Sequence, residues 1–248
     1  MSPAELAEYY PPDYWGESEP KAEWIRSSQA EKTAFLRHCG LTGGRILDVG
    51  CGTGLFLRAL APKDWERFGV ETGAPAAEIA GRHLGGDHVH AGELVGAPFP
   101  GSFFDVVTFW SVLEHTNDPR GQLEKAHHIL KPGGSIVIQL PNASCYQARW
   151  FGGDWFALDA PRHRYHFDRK TLGRLLAETG FDVYRTTLFS KTHNSHALRQ
   201  SLKARLRRRG ALAGRTLFAL SIPWIKPFDG LMTLADEGAT LTVAARQV

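Results

Sequence analysis

Three glycines spaced two apart, Gly50, Gly52 and Gly54, lie within residues 45–60, RILDVGCGTGLFLRAL, between an apolar run and a helical one. Glycine lets a backbone turn sharply and lets a ligand come closer than any side chain would permit. Leu55, Phe56, Leu57 and Leu60 follow at helical spacing, so the unpaired N–H groups of a helix N-terminus point at whatever sits over the turn. Asp48 stands two residues before the first glycine, where a carboxylate repels a pyrophosphate and attracts a cationic amino-acid group. Glu71, 17 residues beyond Gly54, ends an apolar run at 67–71. An acid there can take the two hydroxyls of a ribose. The chemistry implied is the holding of a nucleoside that carries positive charge. His115 and His163 add side chains suited to proton transfer near neutral pH.

The spacing separates this cradle from its rivals. A dinucleotide fold wants G-x-G-x-x-G, and Leu55 occupies the place of the third glycine. Flanked by strand and helix, D-V-G-C-G-T-G resembles motif I of the class I S-adenosylmethionine-dependent methyltransferases. Other segments carry the same resemblance: Phe104-Asp105 leading to Leu113-Glu114-His115 and Asp118-Pro119; Lys131-Pro132-Gly133-Gly134 before an apolar run; and Trp155 followed by D-A-P-R-H and His166-Phe167. The last is similar to the branch that includes quinone and small-molecule O-methyltransferases. The resemblance covers about residues 40–189 and the terminal strand.

It implies S-adenosyl-L-methionine as cofactor, with S-adenosyl-L-homocysteine as product. Asp48 would face the cofactor's ammonium, Gly50, Cys51, Gly52 and Gly54 would line its cradle, and Glu71 would hold the ribose. Glu93 or the backbone of Leu94 would meet the adenine, and Trp110 would border the reactive end. The expected reaction is methyl transfer to a small, apolar or lipid-like acceptor on oxygen, with His115 or His163 as base; nitrogen and carbon acceptors stay open. Two other classes compete: a non-catalytic methyltransferase-like binding subunit, and an NAD-dependent oxidoreductase, which Glu71 suits but Leu55, Asp48 and the LEH segment oppose.

These residues need an α/β frame to bring them together. The pattern predicts a doubly wound, mostly parallel seven-stranded sheet, a Rossmann-like methyltransferase fold, with a last antiparallel strand and a lid insertion. Strands are expected at 45–49, 67–71, 88–90, 103–110, 135–140, 181–189 and 238–246. An arm and one amphipathic helix occupy 1–40, with Trp24, Ala30, Ala34, Phe35 and His38 on the apolar face; Tyr9, Tyr10, Tyr14 and Trp15 lie in the arm. The core is expected at 41–189 and 238–248, with 141–168 as a lid loop of little regular structure. Residues 190–237 read as a helical insertion, in which the apolar stretch 211–222 is stopped by Pro223.

Composition excludes little. At 248 residues the chain can bury one large core, and its 43% hydrophobic and 22% charged content is ordinary. A net charge of +3 does not imply nucleic acid. Cys39, Cys51 and Cys145 are too far apart for a disulfide framework, and no His or Cys spacing along the chain fits a metal, so none is expected. The N-terminus lacks the basic and apolar regions of a signal peptide, which points to the cytoplasm. Leu198, Leu202 and Leu206 share a helical face among basic residues, and an apolar stretch with Trp224 follows. Residues 196–224 thus suit peripheral contact with an anionic membrane at its inner face, against a packed lid or dimer helix. Nucleic acid is disfavoured because the basic run lacks interleaved aromatics.

Overall fold

A computed structural model of the chain describes residues 20–188, 190, 193–207 and 211–248, the side chains of 211–215 excepted. The Tyr-rich arm, Arg208 and Arg209 lie outside the described residues, as does the predicted strand end at 189.

Seven strands form one sheet: β1 (Gly44–Val49), β2 (Trp65–Glu71), β3 (Val89–Ala91), β4 (Phe104–Trp110), β5 (Leu130–Pro141), β6 (Phe181–Thr187) and β7 (Thr240–Gln247). Their order is β3-β2-β1-β4-β5-β7-β6, parallel except for β7, which runs antiparallel to both neighbours. This is the doubly wound, mostly parallel sheet that the apolar runs imply. Its central strands are buried on both faces because consecutive side chains alternate sides. Leu47, Val49, Val107 and Ile138 pack with Leu123, Ile129, Leu172 and Leu176 on one face. Ile46, Val106 and Val137 pack with Leu36, Phe56, Leu57 and Ala80 on the other.

Helices α1 (Ala22–Ser28) and α2 (Ala30–His38) precede the sheet. They replace the single helix expected before β1, because the chain leaves helical geometry at Gln29 (φ −100°, ψ 4°). Trp24 is consequently exposed, while Ile25 and Leu36 are buried. Helices α3 (Leu55–Ala59), α4 (Ala74–Leu84) and α5 (Pro119–Ile129) make the crossovers. Residues 131–134 fall within the span of β5 but have no partners on β4: pairing passes from Phe104–Leu130 to Val106–Ser135, Gly133 takes a φ of 73°, and the four residues loop out as a turn. Helix α7 (Arg169–Glu178) starts at a reciprocal cap, Asp168 accepting the Thr171 N–H and the Thr171 hydroxyl accepting the Asp168 N–H.

The segment between β5 and α7 carries more structure than its composition suggests. It includes α6 (Tyr146–Phe151) and two short 3-10 turns. Between β6 and β7 the chain forms α8 (His193–Arg207) and α9 (Ala211–Leu234). Helix α9 continues through Pro223 and Pro227, past the expected stop. Tyr146, Phe151 and Trp155 pack with Leu198, Leu202 and Ile225, so Leu198 and Leu202 of α8 face protein.

Candidate active site

The glycine turn lies at the carboxyl end of β1, where an open α/β sheet binds its ligands. Gly50, Gly52 and Gly54 have φ of 67°, 54° and 79°. At Gly50 the requirement is also steric, since a Cβ there would meet Val112 Cγ2 at 2.5 Å. Only glycine fits this backbone under the loop that follows β4.

Two carboxylates bracket the turn. Asp48 is buried on β1 and accepts a 2.7 Å hydrogen bond from the Thr108 hydroxyl of β4. Burial pushes its carboxyl up to about 7, against the opposing pull of Lys32 and of Thr108. Glu71, at the end of β2, accepts the Gly52 N–H at 2.8 Å and the Gly73 N–H at 2.7 Å. Its carboxylate thus spans the glycine turn and the entrance to α4. Cys51 is buried, its sulfur packed against Gly69 and its thiol pushed far up by burial, so it lines the turn as a small apolar group. Glu93 is exposed and Leu94 buried just past β3. The Gly92 N–H before them donates to the Glu71 carbonyl at 2.8 Å, which ties this loop to β2.

One side chain here is absent from the sequence reading. Lys32 of α2 holds its ammonium 5.3 Å from the Trp110 ring and 5.8 Å from the Phe56 ring. Its charge acts on Asp48, and burial lowers its pKa. The cradle is therefore flanked by an acid, a base and two aromatic faces. The available signal was a basic residue on the helix that precedes the first strand, but Lys32 reaches the site only because α2 packs, through Leu36, against Phe56 and Leu57 of α3.

At the end of β4, Trp110 is buried, and its indole N–H has no hydrogen-bond partner among the described residues. A single 3-10 turn, Leu113–His115, follows. The later segment is fastened to it through the backbone: the Arg164 and Tyr165 N–H groups donate to the Glu114 carbonyl at 2.8 and 3.3 Å. That fastening brings His163 beside His115, ring centroids 4.6 Å apart and edge to face. His115 Nδ1 lies 3.1 Å from the Arg162 carbonyl and His163 Nδ1 lies 2.8 Å from the Ala157 carbonyl. A carbonyl only accepts, so each Nδ1 carries the proton and each Nε2 keeps its lone pair. Burial, aided by His163, lowers His115 to about 4, and burial also lowers His163. Both rings are neutral at pH 7.

A cavity of about 680 Å³ opens elsewhere, at the amino ends of the strands beside Gly44, Trp65, Asp105 and Lys131. It lies at the opposite end of the sheet from the glycine turn, and the Arg45–Glu66 and Lys131–Asp105 ion pairs lie on its wall.

Fold and cradle together define a nucleoside-binding α/β enzyme of the methyl-transferring class. A family model described as a methyltransferase domain matches residues 22–186, and the chain belongs to that family. It is 35% identical over 169 residues to a ubiquinone biosynthesis O-methyltransferase of Azoarcus sp. (strain BH72), covering 63% of this chain and 71% of that protein. A protein of the same name from Pseudomonas aeruginosa is 29% identical over 156 residues, covering 58% and 67%. Among solved structures, a SAM-dependent methyltransferase from Archaeoglobus fulgidus superimposes with a TM-score of 0.60 at 18% identity, over 92% of this chain and 95% of that one. The protein is an S-adenosylmethionine-dependent methyltransferase. The glycine turn that a Cβ would fill, the paired acids and the orphaned Trp110 N–H fit that cofactor.

Proposed function

We propose that this enzyme methylates a hydroxyl oxygen on a small, apolar or lipid-like acceptor. The observation that carries the reading is the meeting of the His115 and His163 rings, edge to face at 4.6 Å, just past the carboxyl end of β4. The relatives named for O-methylation support it. The cofactor supplies an electrophilic methyl group on a sulfonium. The chain's task is to hold that group in line with the acceptor and to take up the acceptor's proton. His163 Nε2 is the proton acceptor in this reading. The Asp159 carboxylate, 3.8 Å from that atom, stabilises the imidazolium that forms, and His115 packs against the ring to hold it.

Cofactor recognition is assigned to Glu71 for the ribose and to Asp48 and Lys32 for the amino-acid end, the acid facing the ammonium and the lysine the carboxylate. Glu93 and Leu94 are placed at the adenine, and Gly50, Cys51, Gly52, Gly54 and Trp110 line the cradle. Asp48 must be ionised to hold an ammonium, yet burial keeps its proton on up to about pH 7. Affinity for S-adenosylhomocysteine should therefore rise between pH 6 and 8, by up to about tenfold per unit below 7. Asp48→Asn should flatten the profile, and an unchanged slope in that variant would remove Asp48 from the ammonium. The raised pKa also makes the ligand-free fold less stable as pH rises from 3.8 towards 7, because the unfolded chain gives up its proton first.

The direct test of oxygen as acceptor pairs two compounds on one apolar aromatic scaffold, a hydroxyl and the matching amine, with labelled S-adenosylmethionine. A labelled methyl ether is the expected product. Label on the amine alone would overturn the reading.

A second reading concerns where the enzyme works. Helix α9 exposes Leu220 (67%), Trp224 (72%), Leu231 (62%) and Leu234 (88%), and exposed Arg199, Lys203 and Arg207 lie on α8. No helix of the described residues is long and apolar enough to cross a membrane. An apolar face with adjacent cations suits an anionic bilayer surface, the inner face of a cytoplasmic membrane. The inward turn of Leu198 and Leu202 of α8 moves this anchor onto α9. The protein should pellet with phosphatidylglycerol vesicles and not with phosphatidylcholine vesicles, and salt should weaken the binding. Leu220→Glu with Trp224→Glu should abolish it; pelleting unaffected by that change would count against the anchor.

A further inference from the structure

Glu114 has no role in the proton-transfer reading, and its burial needs a reason. The side chain is 1% exposed, and neither carboxylate oxygen has a hydrogen-bond partner among the described residues. Burying a carboxyl without a partner costs several kcal/mol. The loop that carries it is firmly held, since its backbone carbonyl takes two N–H donors from the lid.

We propose that Glu114, His115 and His163 form a binding site for a first-row divalent cation of the zinc type. One carboxylate oxygen and one nitrogen from each histidine all lie within 4.8 Å of one another. Modest side-chain rotations would bring them to the roughly 3.4 Å separation of a tetrahedron with bonds near 2.0–2.1 Å. Two imidazoles and a carboxylate are a donor set that such ions favour, and they leave a coordination position open. The histidines are arranged as ligands commonly are: each Nδ1–H is held by a backbone carbonyl, at Arg162 for His115 and at Ala157 for His163. A cation would give the orphaned Glu114 oxygens their missing partner. It would also join the lid, through His163, to the end of β4.

The absence of any metal-like spacing along the chain is no obstacle, because the site takes two neighbouring residues from one loop and a third from 48 positions later. The inference rests on the reading of this site as the place where the acceptor hydroxyl is handled. A cation held here would lower the pKa of a hydroxyl brought to its open position, the proton passing to solvent, and the histidines would then serve as ligands and not as bases. Loss of turnover in histidine variants fits either route, so metal binding itself must be measured.

The full-length protein, stripped with a chelator and dialysed, is titrated with Zn²⁺ by calorimetry and with Co²⁺ by visible absorption. One equivalent should bind, with the intense visible bands of a low-coordinate Co²⁺ site. Glu114→Gln and His163→Ala should each weaken binding by at least about tenfold. His127→Ala, a remote surface change, should leave it intact. S-adenosylhomocysteine binding by the same samples reports whether the fold survives. No saturable binding by the wild type, or equal binding by wild type, Glu114→Gln and His163→Ala, would overturn the site. One-to-one binding that needs Glu114 and His163 would sustain it even if the hydroxyl acceptor were never methylated, a failure that falls on the functional reading alone.

Discussion

Replacing either His115 or His163 by alanine should lower kcat by about 100-fold or more while leaving S-adenosylhomocysteine affinity nearly unchanged. The rings touch edge to face at 4.6 Å, and each is anchored through Nδ1 to a backbone carbonyl. They therefore act as one device, and the double variant should be little worse than the poorer single one. Cofactor affinity should hold because the acids proposed to grip the cofactor, Asp48 and Glu71, are fixed by Thr108 and by the Gly52 and Gly73 amides, none of which involves the imidazoles. Near-normal turnover in both single variants would leave alignment of the reactants as the whole of catalysis and reopen nitrogen acceptors.

The second large effect belongs to cofactor binding. Glu71→Ala should weaken S-adenosylhomocysteine by about 1.5–3 kcal/mol, the worth of charge-assisted hydrogen bonds to a ribose diol. Part of the loss comes from the turn itself, since the Gly52 and Gly73 N–H groups lose their acceptor. Glu71→Gln keeps an acceptor oxygen for one of the two amides while removing the charge. It should recover part of the affinity. Calorimetry on the two variants checks this, and an affinity unchanged in Glu71→Ala would place the ribose elsewhere.

Some of this molecule is legible in its sequence because the information is local. Asp48, the glycine turn and the first turn of α3 are consecutive, so strand, turn and helix follow from spacing alone. The alternation of Ile46, Leu47 and Val49, and of Ile136, Val137 and Ile138, likewise marks strands buried on both faces. Features set by tertiary contact are less visible. The meeting of His115 and His163 depends on two lid amides that find the Glu114 carbonyl. Lys32 reaches the cradle because α2 packs, through Leu36, against Phe56 and Leu57 of α3. Pro223 reads as a helix end, while α9 runs through it and through Pro227. The Leu198 and Leu202 stripe looks like a membrane face until Tyr146, Phe151 and Trp155 cover it.

The most direct test of the proposed site is a crystal structure of the protein with S-adenosylhomocysteine. The expected result places the ribose hydroxyls on Glu71, the amino-acid end between Asp48 and Lys32, and the sulfur facing the space before His115 and His163. A ligand seated at the opposite end of the sheet, or one whose sulfur points away from both histidines, would contradict it.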